Sequence, residues 1–146
     1  MEINLNYKNL EGVLDIEQYC IDNNIDTEKV TYLDCSDNQL TEIKGLDKLV
    51  NLKELYSDYN QLTELKGLDK LVNLKCLYCE RNKLTKLDVS KLVNLKMLDC
   101  PDNNITELDV SKLVNLKGLN FYNNKLTKLD TSKLVNLEWL NEEEYV

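Results

Sequence analysis

The tetrapeptide Leu-Val-Asn-Leu begins at Leu49, Leu71, Leu92, Leu113 and Leu134, with offsets of 22, 21, 21 and 21 residues. Self-similarity on so short a period means that each unit is one coil, too small to bury an apolar face alone, so the coils must stack. After each of the first four copies one frame recurs. From Leu52 it reads Leu-Lys-Glu-Leu-Tyr-Ser-Asp-Tyr-Asn-Gln-Leu, and from Leu74 Leu-Lys-Cys-Leu-Tyr-Cys-Glu-Arg-Asn-Lys-Leu. Further copies start at Leu95 and Leu116, an earlier one at Val30, and an incomplete one at Leu137. The alternation around Leu55 has period two, which sends side chains to opposite faces of a strand. Equivalent strands then lie side by side and parallel, ~4.8 Å per rung. Elsewhere in each unit, apolar residues such as Leu62, Leu65, Leu68 and Leu71 fall every third position. That spacing fits extended or 3₁₀ turns better than an α-helix.

The frame L-x-x-L-x-[L/C]-x-x-N-x-L closely resembles the leucine-rich repeat family over about residues 25–146. The 22-residue units, with Ile43-Lys44-Gly45-Leu46 and Leu65-Lys66-Gly67-Leu68, resemble the repeats of bacterial internalins and of phosphatase-regulator-type proteins. The 21-residue units, with Leu87-Asp88-Val89-Ser90 and Leu108-Asp109-Val110-Ser111, are more similar to bacterial surface-antigen repeats. The resemblance implies an α/β-type leucine-rich repeat solenoid, with a curved parallel sheet on the concave side and 3₁₀ or extended segments on the convex side. The shorter units lose one residue between their first and second convex apolar positions, which predicts tighter convex turns.

Asn38, Asn60, Asn82, Asn103 and Asn124 follow each strand, where the chain turns inward. A buried amide there donates to and accepts from backbone groups that would otherwise be unpaired, at ~1–3 kcal/mol each. Residues 1–29 do not follow the frame and are expected to cap the stack. The remainder, 30–146, holds five full repeats and a partial sixth. Val13, Ile16 and Cys20 at helical spacing, with Asp15 and Gln18 three apart, predict a short helix around 15–23. Gly12 weakens any earlier start. Ile3, Leu5 and Tyr7 alternate and suggest a preceding strand. Beyond the last strand come Glu142, Glu143 and Glu144. Either these acids form a polar lid or the chain is cut from something longer.

Function has to be sought among side chains that vary from copy to copy. The chain has no histidine, which removes Ser-His-Asp and Cys-His catalysis and imidazole metal sites. A net charge of −8 argues against nucleic acid as the main partner. No apolar run approaches a membrane span and the opening residues lack signal-peptide character, so a soluble, cytoplasmic, monomeric chain with no membrane role is expected, the alternative being an exported effector or a fragment of a larger protein. The outward strand positions carry Tyr32, Tyr56, Tyr59, Tyr78, Tyr122, Met97 and the single tryptophan, Trp139. Among them lie Asp34, Glu54, Asp58, Glu80 and Asp99, with Arg81 the one basic residue. Tyrosine and tryptophan offer large contact area at low entropy cost. Six rungs span ~25 Å, room for a standard interface patch. These thirteen residues are the candidate partner-binding set, and the expected partner is a protein or peptide with a basic, partly apolar surface.

Other readings carry less. Tyrosine is also a good strand former on a solvated sheet. Lys53, Lys75, Lys96 and Lys117, with Lys48, Lys70, Lys91, Lys112 and Lys133, repeat like framework and read as solubilising stripes. Five cysteines at irregular spacing do not make a disulfide framework. Cys35, Cys79 and Cys100 take the inward sixth position as small hydrophobes. Cys76 and Cys79 point to opposite faces and cannot share a metal. Asn104-Ile105-Thr106 is a sequon without expected use. Paired acids such as Asp34 with Glu54 could in principle hydrolyse glycosides, but an open sheet offers no pocket to raise one pKa. Stacked Asp58, Glu80 and Asp102 lack a loop that would wrap calcium. The expectation is therefore a non-catalytic interaction module without cofactor or metal. The alternative is an idealised or fragmentary repeat scaffold with no ligand of its own.

Overall fold

A computed structural model describes residues 1–142. Three-residue strands, one per coil, assemble a seven-stranded parallel sheet. In chain order they are β1 (Glu2–Asn4), β3 (Tyr32–Asp34), β5 (Glu54–Tyr56), β6 (Cys76–Tyr78), β7 (Met97–Asp99), β8 (Gly118–Asn120) and β9 (Trp139–Asn141). Every rung is in register: Leu33, Leu55, Leu77, Leu98, Leu119 and Leu140 are successive partners. All but the last are fully buried, so the leucines point into one apolar column while residues on either side face out.

The asparagines close each coil. Asn82 Nδ2 donates to the carbonyls of Cys79 (3.3 Å), Glu80 (3.3 Å) and, one rung back, Ser57 (2.9 Å), and its Oδ1 accepts from the Leu62 amide (3.0 Å). Asn60 and Asn103 make the same set of bonds and are equally buried. A second, exposed ladder emerges on the repeated tetrapeptide itself. Asn73, Asn94, Asn115 and Asn136 each donate to the carbonyl of the valine one rung earlier, at 2.8–3.3 Å. The repeated tetrapeptide alone does not indicate this bond, because only the stacked coils bring the valine carbonyl to the asparagine.

The convex side differs between the two unit lengths. In the 22-residue units a 3₁₀ turn (Leu46–Lys48, Leu68–Lys70) follows a left-handed glycine, Gly45 or Gly67. In the 21-residue units Lys-Gly is replaced by a single aspartate. There Asp88 accepts from the amide of Ser90 (3.0 Å) and from its hydroxyl (2.6 Å), and Asp109 and Asp130 accept from the amides of Ser111 and Ser132 (2.9 Å each). An aspartate side chain thus mimics the turn that the glycine made with backbone, and these hydrogen bonds hold the carboxyls below their usual range. The shorter turn is therefore a different turn, with no 3₁₀ segment.

The N-terminal region shows features the frame did not reveal. β1 is the first rung of the main sheet, and Glu2-Ile3-Asn4-Leu5 occupies positions three to six of the repeat. β2 (Glu11–Asp15) pairs in parallel with β4 (Gln39–Lys44), forming a second, two-stranded sheet. Its register slips between Gly12 and Val13, so Gly12 marks a bulge. The helix α1 (Ile16–Asp22) starts where Asp15 accepts from the Gln18 amide (3.0 Å), and Ile16 and Cys20 are buried. Val13 belongs to β2 and is exposed, not part of the helical face. The Gln18 side chain bonds Asp22 rather than completing a capping box. The acids Glu143 and Glu144 lie outside the described residues. Among the described residues, no helix is long and apolar enough to cross a membrane.

Candidate functional site: the outer face of the parallel sheet

Positions three and five of each strand point away from the leucine column, and positions seven and eight extend that face past the strand ends. The structure gathers the candidates into two groups. At the centre, Tyr32, Tyr56 and Tyr78 form a continuous aromatic strip across three rungs. The rings of Tyr32 and Tyr56 are 5.3 Å apart and tilted by 41°, and those of Tyr56 and Tyr78 are stacked at 4.7 Å and 4°. Such pairs add stability beyond their buried area and hold the rings in place. The Tyr56 hydroxyl donates to Glu54 (2.9 Å). Burial and that carboxylate push its pKa well above the usual phenol value.

Acids border the strip. Asp58 is half-buried and accepts from the Glu80 amide (2.7 Å). Its pKa rises to about 7, chiefly through burial, reinforced by the charges of Asp99, Glu80 and Asp34 and opposed by the Glu80 amide. Burial also raises Asp99, against a hydrogen bond from Asn120. Asp34 is buried and accepts from the Ser36 amide (2.9 Å). Among the described residues none of Asp34, Glu54, Asp58 or Asp99 has a basic partner within 4.0 Å, whereas Glu80 does.

The second group lies along the sheet's far edge. Asp37, Tyr59, Arg81, Asp102 and Asn123 all hold φ between 50 and 54°. Aspartate and asparagine tolerate this left-handed conformation, but tyrosine and arginine do so at a cost of ~1–2 kcal/mol. Strain of that kind collects at functional positions. Here Arg81 lies 5.2 Å over the Tyr59 ring, with its Nε 3.6 Å from Glu80 and 3.5 Å from Asp102. The Tyr59 hydroxyl donates to Glu80 (3.2 Å), and Asn123 donates to Asp102 (2.6 Å).

Three candidates stand apart from these groups. Met97 is half-buried one rung beyond Cys76. Tyr122 is exposed near the edge. Trp139 does not project freely: its ring lies over Gly118, where an added Cβ would come within 2.5 Å of the indole. The outward glycine in that column is thus the seat for the tryptophan, a pairing visible in sequence only once the register of β8 and β9 is known. Tyr7, at the eighth position of the β1 rung, is exposed and also belongs to the edge. The alternation of Ile3 and Leu5 was its signal.

Beneath the face, Cys35, Ser57, Cys79, Cys100 and Phe121 form one buried column, with Cys35 Sγ and Ser57 Oγ donating to the carbonyls of Tyr56 and Tyr78. Burial pushes these thiols far above their ordinary pKa, so they behave as inert hydrophobes. Cys76, half-buried beside Glu54, is raised as well. Among the described residues no three acids or cysteines converge as metal ligands would.

A stacked parallel solenoid with an invariant leucine–asparagine frame and a variable outer face defines a repeat protein. A family model for leucine-rich repeats in two copies matches residues 93–137. The functional domain of InlJ from Listeria monocytogenes, described as including a cysteine ladder, superposes with a TM-score of 0.75 at 38% identity, over 77% of this chain and 25% of that one. The internalin InlF of the same species gives 0.79 at 25% identity, over 99% and 43%. A leucine-rich repeat protein of Leptospira interrogans gives 0.70 at 28% identity, over 80% and 31%. The chain thus spans less than half the length of each of these three. No curated protein matches the sequence. Residues 93–137 thus match the leucine-rich repeat model, the fold is that of a leucine-rich repeat solenoid, and the solved structures it resembles are bacterial repeat proteins, internalins among them. Folds of this family generally serve protein–protein interaction.

Proposed function

We propose that this chain is a non-catalytic recognition module that binds a protein or peptide through the outer, concave face of its sheet. The observation that carries this reading is the Tyr32–Tyr56–Tyr78 strip, bordered by Asp34, Glu54, Asp58 and Asp99, which have no basic partner within 4.0 Å among the described residues. Rigid aromatic surface at the centre of a patch with polar groups around it is the composition of an interface hot spot. Unpaired acids in half-buried positions are costly in the free protein and favour a partner that supplies positive charge. The frame that positions them is stiff, so little entropy is lost when the partner docks. The absence of histidine from the sequence and the openness of the sheet argue against proton-transfer catalysis.

Affinity capture from a bacterial lysate, with bound proteins identified by mass spectrometry, tests the reading. Immobilised wild type and the double variant Tyr56→Ala/Tyr78→Ala are compared. Proteins held by the wild type should be lost from the variant. An identical captured set would move the binding surface elsewhere or remove it.

A further inference from the structure

We propose that the sheet face seats an arginine side chain of the partner, its guanidinium stacked on the outer face of Tyr78 and paired with Asp99. The inference rests on the reading of this face as the binding surface and names what the partner must present there.

The fifth strand position runs Tyr56, Tyr78, Asp99 and Asn120 in strict register. Tyr78 therefore has a stacked ring on one side, at 4.7 Å. On its other side stands the shorter side chain of Asp99, one rung of ~4.8 Å away. The aromatic stack stops, and the next place in the column is a shelf with a ring for its wall and a carboxylate beneath it. A planar cation fits this combination, because it can stack on the ring and pair with the carboxylate in the same pose. Guanidinium does both; ammonium is a compact point charge without a stacking face.

The protein already holds an arginine against a tyrosine ring and an aspartate in another outward column. At the eighth position, Tyr59, Arg81 and Asp102 occupy successive rungs. There Arg81 lies over the Tyr59 ring at 5.2 Å and reaches Asp102 at 3.5 Å. The fifth column also carries a tyrosine and an aspartate, here on adjacent rungs and with no cation of its own. Among the described residues Asp99 has no ion-pair partner, and its carboxylate is hydrogen-bonded by Asn120. Arg81 is committed to Tyr59, Glu80 and Asp102. Asp58 and Glu80 add negative potential near the shelf. Charge complementarity and aromatic stacking together select an arginine over any other side chain.

Aromatic-ring NMR of the ¹³C-labelled chain tests this, titrated with the capped peptide Ac-Gly-Ser-Gly-Arg-Gly-Ser-Gly-NH₂ and with its lysine and citrulline counterparts. The arginine peptide should shift the Tyr78 ring resonances saturably. Lysine should bind at least ~3-fold more weakly, and citrulline, which lacks the charge, should leave the ring unmoved. Asp99→Asn and Tyr78→Ala should each weaken the arginine peptide by at least ~5-fold, while Tyr78→Phe, which keeps the stack, should retain it. Thr106→Ala, on the convex side, should change nothing. No shift at Tyr78, equal response to all three peptides, or shifts confined to another surface would overturn the arginine seat. If any of these occurred while the double tyrosine variant still lost its captured partner, the binding face would stand and only the arginine seat would fall.

Discussion

Asn82 and Asn94 sit in two ladders of the same solenoid, and their environments predict different energies. Asn82 is buried and satisfies four backbone groups, so Asn82→Ala leaves several of them unpaired and should cost about 3 kcal/mol. Asn94 is exposed and makes one bond, to Val72, so Asn94→Ala should cost under about 1 kcal/mol. Urea denaturation of both variants checks the ratio. Asp58 offers a second test, in pH. Its folded pKa of about 7 lies above the ordinary 3.8, so the neutral form is favoured by folding. The stability tied to that carboxyl is fully present below the unfolded value and is lost as pH rises through the folded one. Asp58→Asn, whose side-chain oxygen still accepts from the Glu80 amide, should therefore outlast wild type above pH 7, by on the order of 2 kcal/mol once part exposure is allowed for. The advantage should vanish near pH 4; thermal melts across that range read it. The role of Asn82 was legible in the sequence, because a polar residue fixed in an apolar frame must be pairing with backbone. The state of Asp58 was not, since its neighbours Asp34, Glu80 and Asp99 come from three other rungs.

Among elements, unit length sets the convex turn. The 22-residue units need a left-handed residue before their 3₁₀ turn, and at Gly67 (φ 90°) an added Cβ would lie 2.8 Å from the Asp47 amide nitrogen. Gly67→Ala combines backbone strain with a clash against backbone and should cost about 2 kcal/mol or more, measured by equilibrium unfolding. The sequence showed where the shorter units lose a residue, but not that Asp88 replaces the glycine turn with its own side chain. The strands themselves were legible, because period two and a fixed repeat leave one solution. The β2–β4 pair was not, since β2 lies outside the frame, β4 falls on the part of a unit read as extended or 3₁₀ turns, and their pairing depends on how the first coil meets the next. The helix bounds followed from Asp15 as cap. Val13 was drawn into the helical face by spacing alone, and the bulge at Gly12 shows why it belongs to a strand.

At the scale of the whole molecule, near-identical coils divide labour between an inside that repeats and an outside that does not. The leucines and buried asparagines make the inside uniform, so the outward residues are free to differ without disturbing the stack. Their columns were legible from the frame. Their contacts were not: the stacking of Tyr56 on Tyr78, the hold of Arg81 on Tyr59 and the seat of Trp139 on Gly118 depend on rotamers that no spacing encodes. What results is a sheet whose outer face carries an aromatic strip bordered by acids, the surface proposed above for a partner. The affinity of a captured partner for chain variants, by isothermal titration, tests this most directly. Tyr56→Ala/Tyr78→Ala should weaken binding by about 3 kcal/mol or more, while Thr106→Ala/Thr127→Ala on the convex side should leave it unchanged. Equal affinities for wild type and the tyrosine variant, or a loss confined to the convex pair, would contradict it.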